Sequence, residues 1–150
     1  MKKEESQNII ITGATRGLGL THTKYLAKNG YNIALVDLSV DACSVYEEAK
    51  DVPSILNQLR ESNKAEFYSC DLTNFRETND TFQQILNDFG KIDGKYDVLI
   101  NNVGGGGRWG SENYEEFEEW EEVYEKNAGV ARKLTMKCLP YMKEKKWGRV

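Results

Sequence analysis

The sequence predicts an α/β fold, a Rossmann-like doubly wound parallel sheet with strand order 3-2-1-4 and a fifth strand just beginning at the C-terminal end. Three observations carry this expectation. Short apolar runs at Ile9-Ile10-Ile11, Ile33-Ala34-Leu35-Val36 and Val98-Leu99-Ile100 lack polar alternation, which is the mark of strands buried on both faces. Segments with helical spacing separate them, and strands alternating with helices argue for right-handed βαβ crossovers. The turn Thr12-Gly13-Ala14-Thr15-Arg16-Gly17-Leu18-Gly19 joins the first strand to the first helix, the context a phosphate-binding loop requires.

The glycines of that turn have separable tasks. Gly13 lets the chain turn off the strand, Gly17 leaves room for a pyrophosphate, and Gly19 lets the new helix pack closely. The helix start then presents free N–H groups and partial positive charge to an anion. The helix carries Leu18, Leu20, Tyr25, Leu26 and Ala27 as its apolar set and stops at Asn29-Gly30. His22 reads as an exposed helix residue. The second strand runs from about Asn32 to Asp37, and an acid about 20 residues beyond the glycines is placed to hold ribose hydroxyls.

Two helical pieces are expected next, Asp41–Lys50 and Ser54–Ser62, with Pro53 suited to the first turn of the second. A third strand, Ala65 to Cys70, ends at Asp71-Leu72. Asn74 is placed to cap a helix Phe75–Phe89 with Phe75, Phe82, Ile85, Leu86 and Phe89 on one stripe, closed by Gly90. The fourth strand, Asp97–Ile100, runs into Asn101-Asn102-Val103-Gly104 and a glycine run to Gly107. The last segment is amphipathic, with Phe117, Trp120, Tyr124, Ala128, Ala131, Leu134, Thr135, Cys138 and Met142 on a stripe that includes Asn127. Gly129 and Pro140 weaken it, so a bend is expected. An amide on a buried face needs partners; Asn127 is either satisfied by backbone, or holds a water or bends the helix beside a site.

Composition narrows the function. A net charge of −4 with scattered lysines argues against a nucleic-acid surface. No apolar stretch approaches a membrane span, and the N-terminal apolar run is too short for a signal peptide. Cys43, Cys70 and Cys138 are odd in number and far apart, which points to a reduced, cytoplasmic setting without disulfides or a metal site.

Taken together, these residues resemble the short-chain dehydrogenase/reductase family, in the group whose loop is spaced TGxxxGxG. The similarity runs through Asp71-Leu72 beside the adenine, the NNAG-like Asn101-Asn102-Val103-Gly104, the helix Asn127, and Trp147-Gly148-Arg149-Val150 at the approach to the fifth strand. The resemblance implies an NAD(P)-dependent oxidoreductase that moves hydride between the cofactor and a carbonyl or hydroxyl carbon of a small alcohol or ketone. It assigns Gly13, Thr15, Arg16, Gly17, Leu18, Gly19, Asp37, Asp71, Leu72, Asn101, Val103 and Gly104 to cofactor binding, and Asn127 to the catalytic set. NAD is expected over NADP, because a 2′-phosphate beside Asp37 is repelled, although Arg16 pulls the other way. A homo-oligomer through the helix of Asn127 is also implied.

Two departures stand out. Val103 replaces the family's Ala, and the glycine run is longer than usual. The family's catalytic Ser and YxxxK pair follow the fifth strand, so residues 1–150 read as a dinucleotide-binding domain incomplete at its C-terminal end and inactive alone. Tyr46–Lys50 and Tyr141–Lys145 match YxxxK by chance spacing. The competing class is a non-catalytic dinucleotide-binding module or a natural truncation acting through a partner, and the reading frame beyond Val150 discriminates the two.

Overall fold

The computed structural model describes residues 7–46, 49–60, 64–89, 97–106 and 117–150, with backbone alone at 45, 46, 117 and 118. The expected roles of Ser62, Gly90 and Gly107 fall outside these residues.

Four parallel strands, β1 (Asn8–Thr12), β2 (Asn32–Asp37), β3 (Ala65–Ser69) and β4 (Val98–Ile100), lie in the order β3-β2-β1-β4. Val98 pairs with Arg149 on the outer side of β4, where Leu99 N–H donates to Arg149 O at 2.9 Å and Arg149 N–H to Asp97 O at 3.0 Å. An isolated parallel bridge thus stands where the sequence puts the approach to a fifth strand. Pleating splits each apolar run between two cores. Ile9, Ile11, Ile33 and Leu35 face α1 (Gly17–Lys28) and α2 (Val52–Arg60), while Ile10, Ala34, Val36 and Leu99 face α3 (Phe75–Phe89) and α5 (Val130–Lys145). An unalternating run is what a sheet covered by helices on both faces needs.

Local chemistry sets the helix starts. Asn74 Oδ1 accepts the N–H groups of Arg76 (3.0 Å) and Glu77 (3.3 Å), and Glu77 reaches back to Asn74 Nδ2 (2.9 Å), a reciprocal cap. Asp51 caps α2 in the same way, accepting Ser54 N–H at 2.7 Å, with Pro53 in the first turn. The N-terminal ends of the strands are stitched by polar groups. Asn32 Nδ2 donates to Asn8 Oδ1 (3.0 Å), Asn8 N–H to Asp97 Oδ2 (2.8 Å), and Lys145 Nζ to Asp97 Oδ1 (2.8 Å).

Several expected elements come out differently. Of the piece expected over Asp41–Lys50, the described residues form a 3₁₀ turn at Ala42–Tyr46. Ser39 and Ser44 there bond neighbouring backbone at Asp41, which competes with a regular helix. Leu18 and Tyr25 of α1 and Phe75 of α3 are exposed, because each lies on the solvent side of its helix while Leu20, Ala27, Phe82 and Ile85 fill the core. The long amphipathic segment is divided: α4 (Phe117–Tyr124) passes through a π-helical turn (Glu125–Gly129) into α5. The wider turn adds a residue and rotates the apolar face. Val130, Leu134, Cys138 and Met142 are core, whereas Trp120, Tyr124, Asn127 and Ala128 are exposed. Pro140 sits inside α5 at an exposed position without ending the helix.

Candidate functional site

A cavity of about 400 Å³ opens at the C-terminal ends of β1 to β4, where ligands of such sheets bind. The glycine turn makes one wall. Gly13 adopts φ +62° and Gly17 φ +53°, a region open to glycine at little cost. A Cβ on Gly17 would meet nothing within 4 Å, so bare backbone faces the cavity there. Gly19 is different: a Cβ built on it falls 1.8 Å from Gly13 O and 2.7 Å from Asn102 Nδ2. The third glycine therefore lets α1 close on its own loop.

The turn is knotted to the end of β4. Thr12 Oγ1 accepts the N–H groups of Asn102 (2.9 Å) and Val103 (3.0 Å) and donates to Ile100 O (3.3 Å), while Asn102 Nδ2 donates to Thr12 O and Gly13 O, each at 3.1 Å. Asp37, 5% exposed at the end of β2, accepts Thr15 N–H (3.1 Å) and Thr15 Oγ1–H (2.7 Å) on Oδ2 and Leu38 N–H (2.9 Å) on Oδ1. Asp71 at the end of β3 holds Thr73 through its N–H (2.9 Å) and hydroxyl (2.6 Å).

Of the sequence-derived site residues, Gly13, Arg16, Gly17, Leu18, Asp37, Asp71, Leu72, Val103 and Gly104 line this one cavity. Thr15, fully buried, stands behind Asp37, and Gly19 lies beneath the turn. Asn101 turns away, its Nδ2 donating to Thr135 Oγ1 of α5 at 3.3 Å. Asn127 lies outside the lining, yet fastens it: Oδ1 accepts Gly105 N–H (3.0 Å), and Nδ2 donates to Gly105 O and Val123 O, each at 2.8 Å. Its amide is satisfied by backbone.

The sequence reading missed five lining residues: Leu38, Cys70, Thr73, Asn102 and Lys126. Consecutive side chains at the end of a strand point to opposite faces, so one Asn of the Asn101-Asn102 pair had to face the turn; no local signal says which. Lys126 enters the wall through the π turn, which a regular helical wheel does not represent. Cys70 lines the cavity as a protonated packing group, since burial pushes its thiol up. Tyr141–Lys145 is remote from the cavity, because Lys145 is paired with Asp97 at the N-terminal ends of the strands. The side chain of Tyr46 lies outside the described residues. Among the described residues, no group of three or more His, Cys, Asp or Glu could hold a metal ion.

An open glycine cradle, a helix start and an acid at the next strand end fit the pyrophosphate and ribose of a dinucleotide. The fold is that of a Rossmann-like domain with its cavity at the carboxyl ends of the strands. The chain belongs to the short-chain dehydrogenase family, whose description, "short chain dehydrogenase", matches residues 7–150. It is 30% identical over 142 residues to a fatty acyl-CoA reductase of Acinetobacter baylyi, covering 94% of this chain and 44% of that protein. It is 30% identical over 95 residues to 15-hydroxyprostaglandin dehydrogenase [NAD(+)] of Rattus norvegicus, covering 63% of this chain and 32% of the relative. The solved structure of NAD+-bound xylitol dehydrogenase superposes with a TM-score of 0.77 at 26% identity, over 98% of this chain and 52% of the other. The chain thus spans about half the length, or less, of these proteins.

Proposed function

We propose that this chain is the cofactor-binding part of an NAD(P)-dependent oxidoreductase acting on a small alcohol or ketone. The observation that carries the reading is the meeting of the glycine turn and Asp37 in one cavity. A bound nicotinamide dinucleotide would accept or supply the hydride. Gly13 and Gly17 would bring backbone N–H groups to the pyrophosphate, Asp37 would accept from the adenosine ribose, and Asp71 and Leu72 would flank the adenine. Thr15, Gly19 and Asn101 would act from behind the wall, and Asn127 by fixing the Gly104-Gly105 segment. Proton transfer belongs to the Ser and Tyr–Lys groups that the family resemblance assigns after the fifth strand.

NAD is the preferred cofactor in this proposal. A 2′-phosphate carries about two negative charges at neutral pH, and like charges at short range in a half-buried site are strongly unfavourable. Arg16, on the same cavity, offsets part of that repulsion. Titration of the complete protein with NADH and NADPH, followed by cofactor fluorescence, tests this reading, and tighter NADPH binding overturns it.

A cytoplasmic homo-oligomer completes the proposal. Cys43, Cys70 and Cys138 are free and buried, and no helix among the described residues is long and apolar enough to cross a membrane. Trp120 (60% exposed) and Tyr124 (69%) of α4 are the large amphipathic residues that a symmetric contact buries. Sedimentation of the complete protein as a monomer at micromolar concentration counts against it.

A further inference from the structure

The geometry points to Thr15 as a positioning residue that sets cofactor choice through Asp37 without touching the cofactor. The inference rests on the proposed dinucleotide site and deepens it. Asp37 lines the cavity, while Thr15 is fully buried behind it. Both donors of Thr15, its N–H at 3.1 Å and its hydroxyl at 2.7 Å, converge on Oδ2 of Asp37. Among the described residues, Oδ1 receives only Leu38 N–H, at 2.9 Å.

A carboxylate oxygen accepts about two hydrogen bonds. Thr15 therefore fills Oδ2 and leaves the remaining acceptor position on Oδ1. Three donors shared between its two oxygens also fix the rotation of the carboxylate. A ribose that carries two hydroxyls gains an oriented acceptor at no further ordering cost. A 2′-phosphate instead meets a negative charge that cannot swing away. Removing the Thr15 hydroxyl leaves one donor on Oδ2 and frees the carboxylate to turn, so the contrast between the two ligands weakens. Because the same contact ties the glycine turn to the end of β2, replacing Asp37 would loosen the phosphate wall as well as remove the charge. Thr15 and Asp37 thus act as one unit in choosing the cofactor.

The test uses Thr15→Val, which removes the hydroxyl at nearly constant shape, and Thr15→Ser, which keeps it. NADH and NADPH are titrated separately into the complete protein by cofactor fluorescence, and each variant is melted without ligand. In Thr15→Val, NADH affinity is expected to fall about tenfold, the scale of one hydrogen bond to a charged group. NADPH affinity should fall less, so the ratio narrows, and Thr15→Ser should restore it. An unchanged ratio in Thr15→Val, with both affinities intact or reduced alike, makes Thr15 purely structural and overturns the inference. If Thr15→Val does not fold, Thr15→Ala carries the same comparison. A wild-type protein that binds neither dinucleotide overturns the site reading itself, and this inference with it.

Discussion

Gly19→Ala sets two well-known effects against each other. In a helix, Ala is favoured over Gly by about 1 kcal/mol, so propensity alone makes the substitution stabilising. The structure reverses the sign. The new methyl group would lie 1.8 Å from Gly13 O, 2.8 Å from Gly13 C and 2.7 Å from Asn102 Nδ2. Ordinary non-bonded separations are about 3.5 Å, so α1 and its loop must part by more than 1 Å. The nearest obstruction, Gly13 O and C, is backbone and cannot rotate aside, whatever the Asn102 side chain does. Overpacking of this kind costs about 1–3 kcal/mol. Parting the elements also endangers the bonds from Asn102 Nδ2 to Gly13 O (3.1 Å) and from Gly13 N–H to Val36 O (2.8 Å), at about 1 kcal/mol each. Net of the propensity gain, a loss of about 2–4 kcal/mol is expected, which lowers Tm by roughly 5–15 °C for a protein of this size or somewhat larger. Thermal and urea melts of the complete protein read it directly. Gly106→Ala is the control, since nothing lies within 4 Å of its Cβ position, and it should stay within about 0.5 kcal/mol. A Gly19→Ala protein as stable as wild type would refute the argument and show that helix propensity outweighs the contact.

Two further outcomes follow from buried polar groups. Asp97→Ala removes the acceptor of both Asn8 N–H and Lys145 Nζ. It should cost about 3 kcal/mol by urea titration, and Lys145→Met a similar amount, because it leaves the buried Asp97 carboxylate without its counter-charge. Burial pushes the Cys138 thiol up to about 12 from 9.0. An acid whose folded pKa is raised contributes stability that is complete below its unfolded pKa and is lost as pH rises from there. Wild type should therefore lose about 1.4 kcal/mol per pH unit from this thiol above pH 9. Cys138→Ala, weaker at neutral pH through its cavity, should lose stability less steeply over pH 9–11. Equal slopes would refute the assignment.

How much of this was readable in advance follows from the range over which each feature is set. The strands, the reciprocal cap at Asn74, the C-terminal stop at Asn29-Gly30 and the positive φ of Gly13, Gly17 and Gly30 are decided by a few neighbouring residues, so spacing and residue type revealed them. The covering of the sheet on both faces was legible too, since apolar runs without alternation can be satisfied only between two helical layers, whereas the strand order was expected from the doubly wound fold as a class. The side of the wall each residue takes was decided by tertiary packing. Asn102 reaches the turn across 90 positions of sequence, and its neighbour Asn101 faces α5 instead. Thr15 and Asp37 meet across 22 positions, which places one behind the other relative to the cavity. The π turn changes the phase of the last helix, exposing Trp120 and Tyr124 and bringing Lys126 to the cavity wall. Sequence by itself determined the backbone that makes a nucleotide cradle, because that information is local. Only the tertiary structure decided which side chains face the ligand and which hold those that do, because that depends on contacts between elements far apart along the chain.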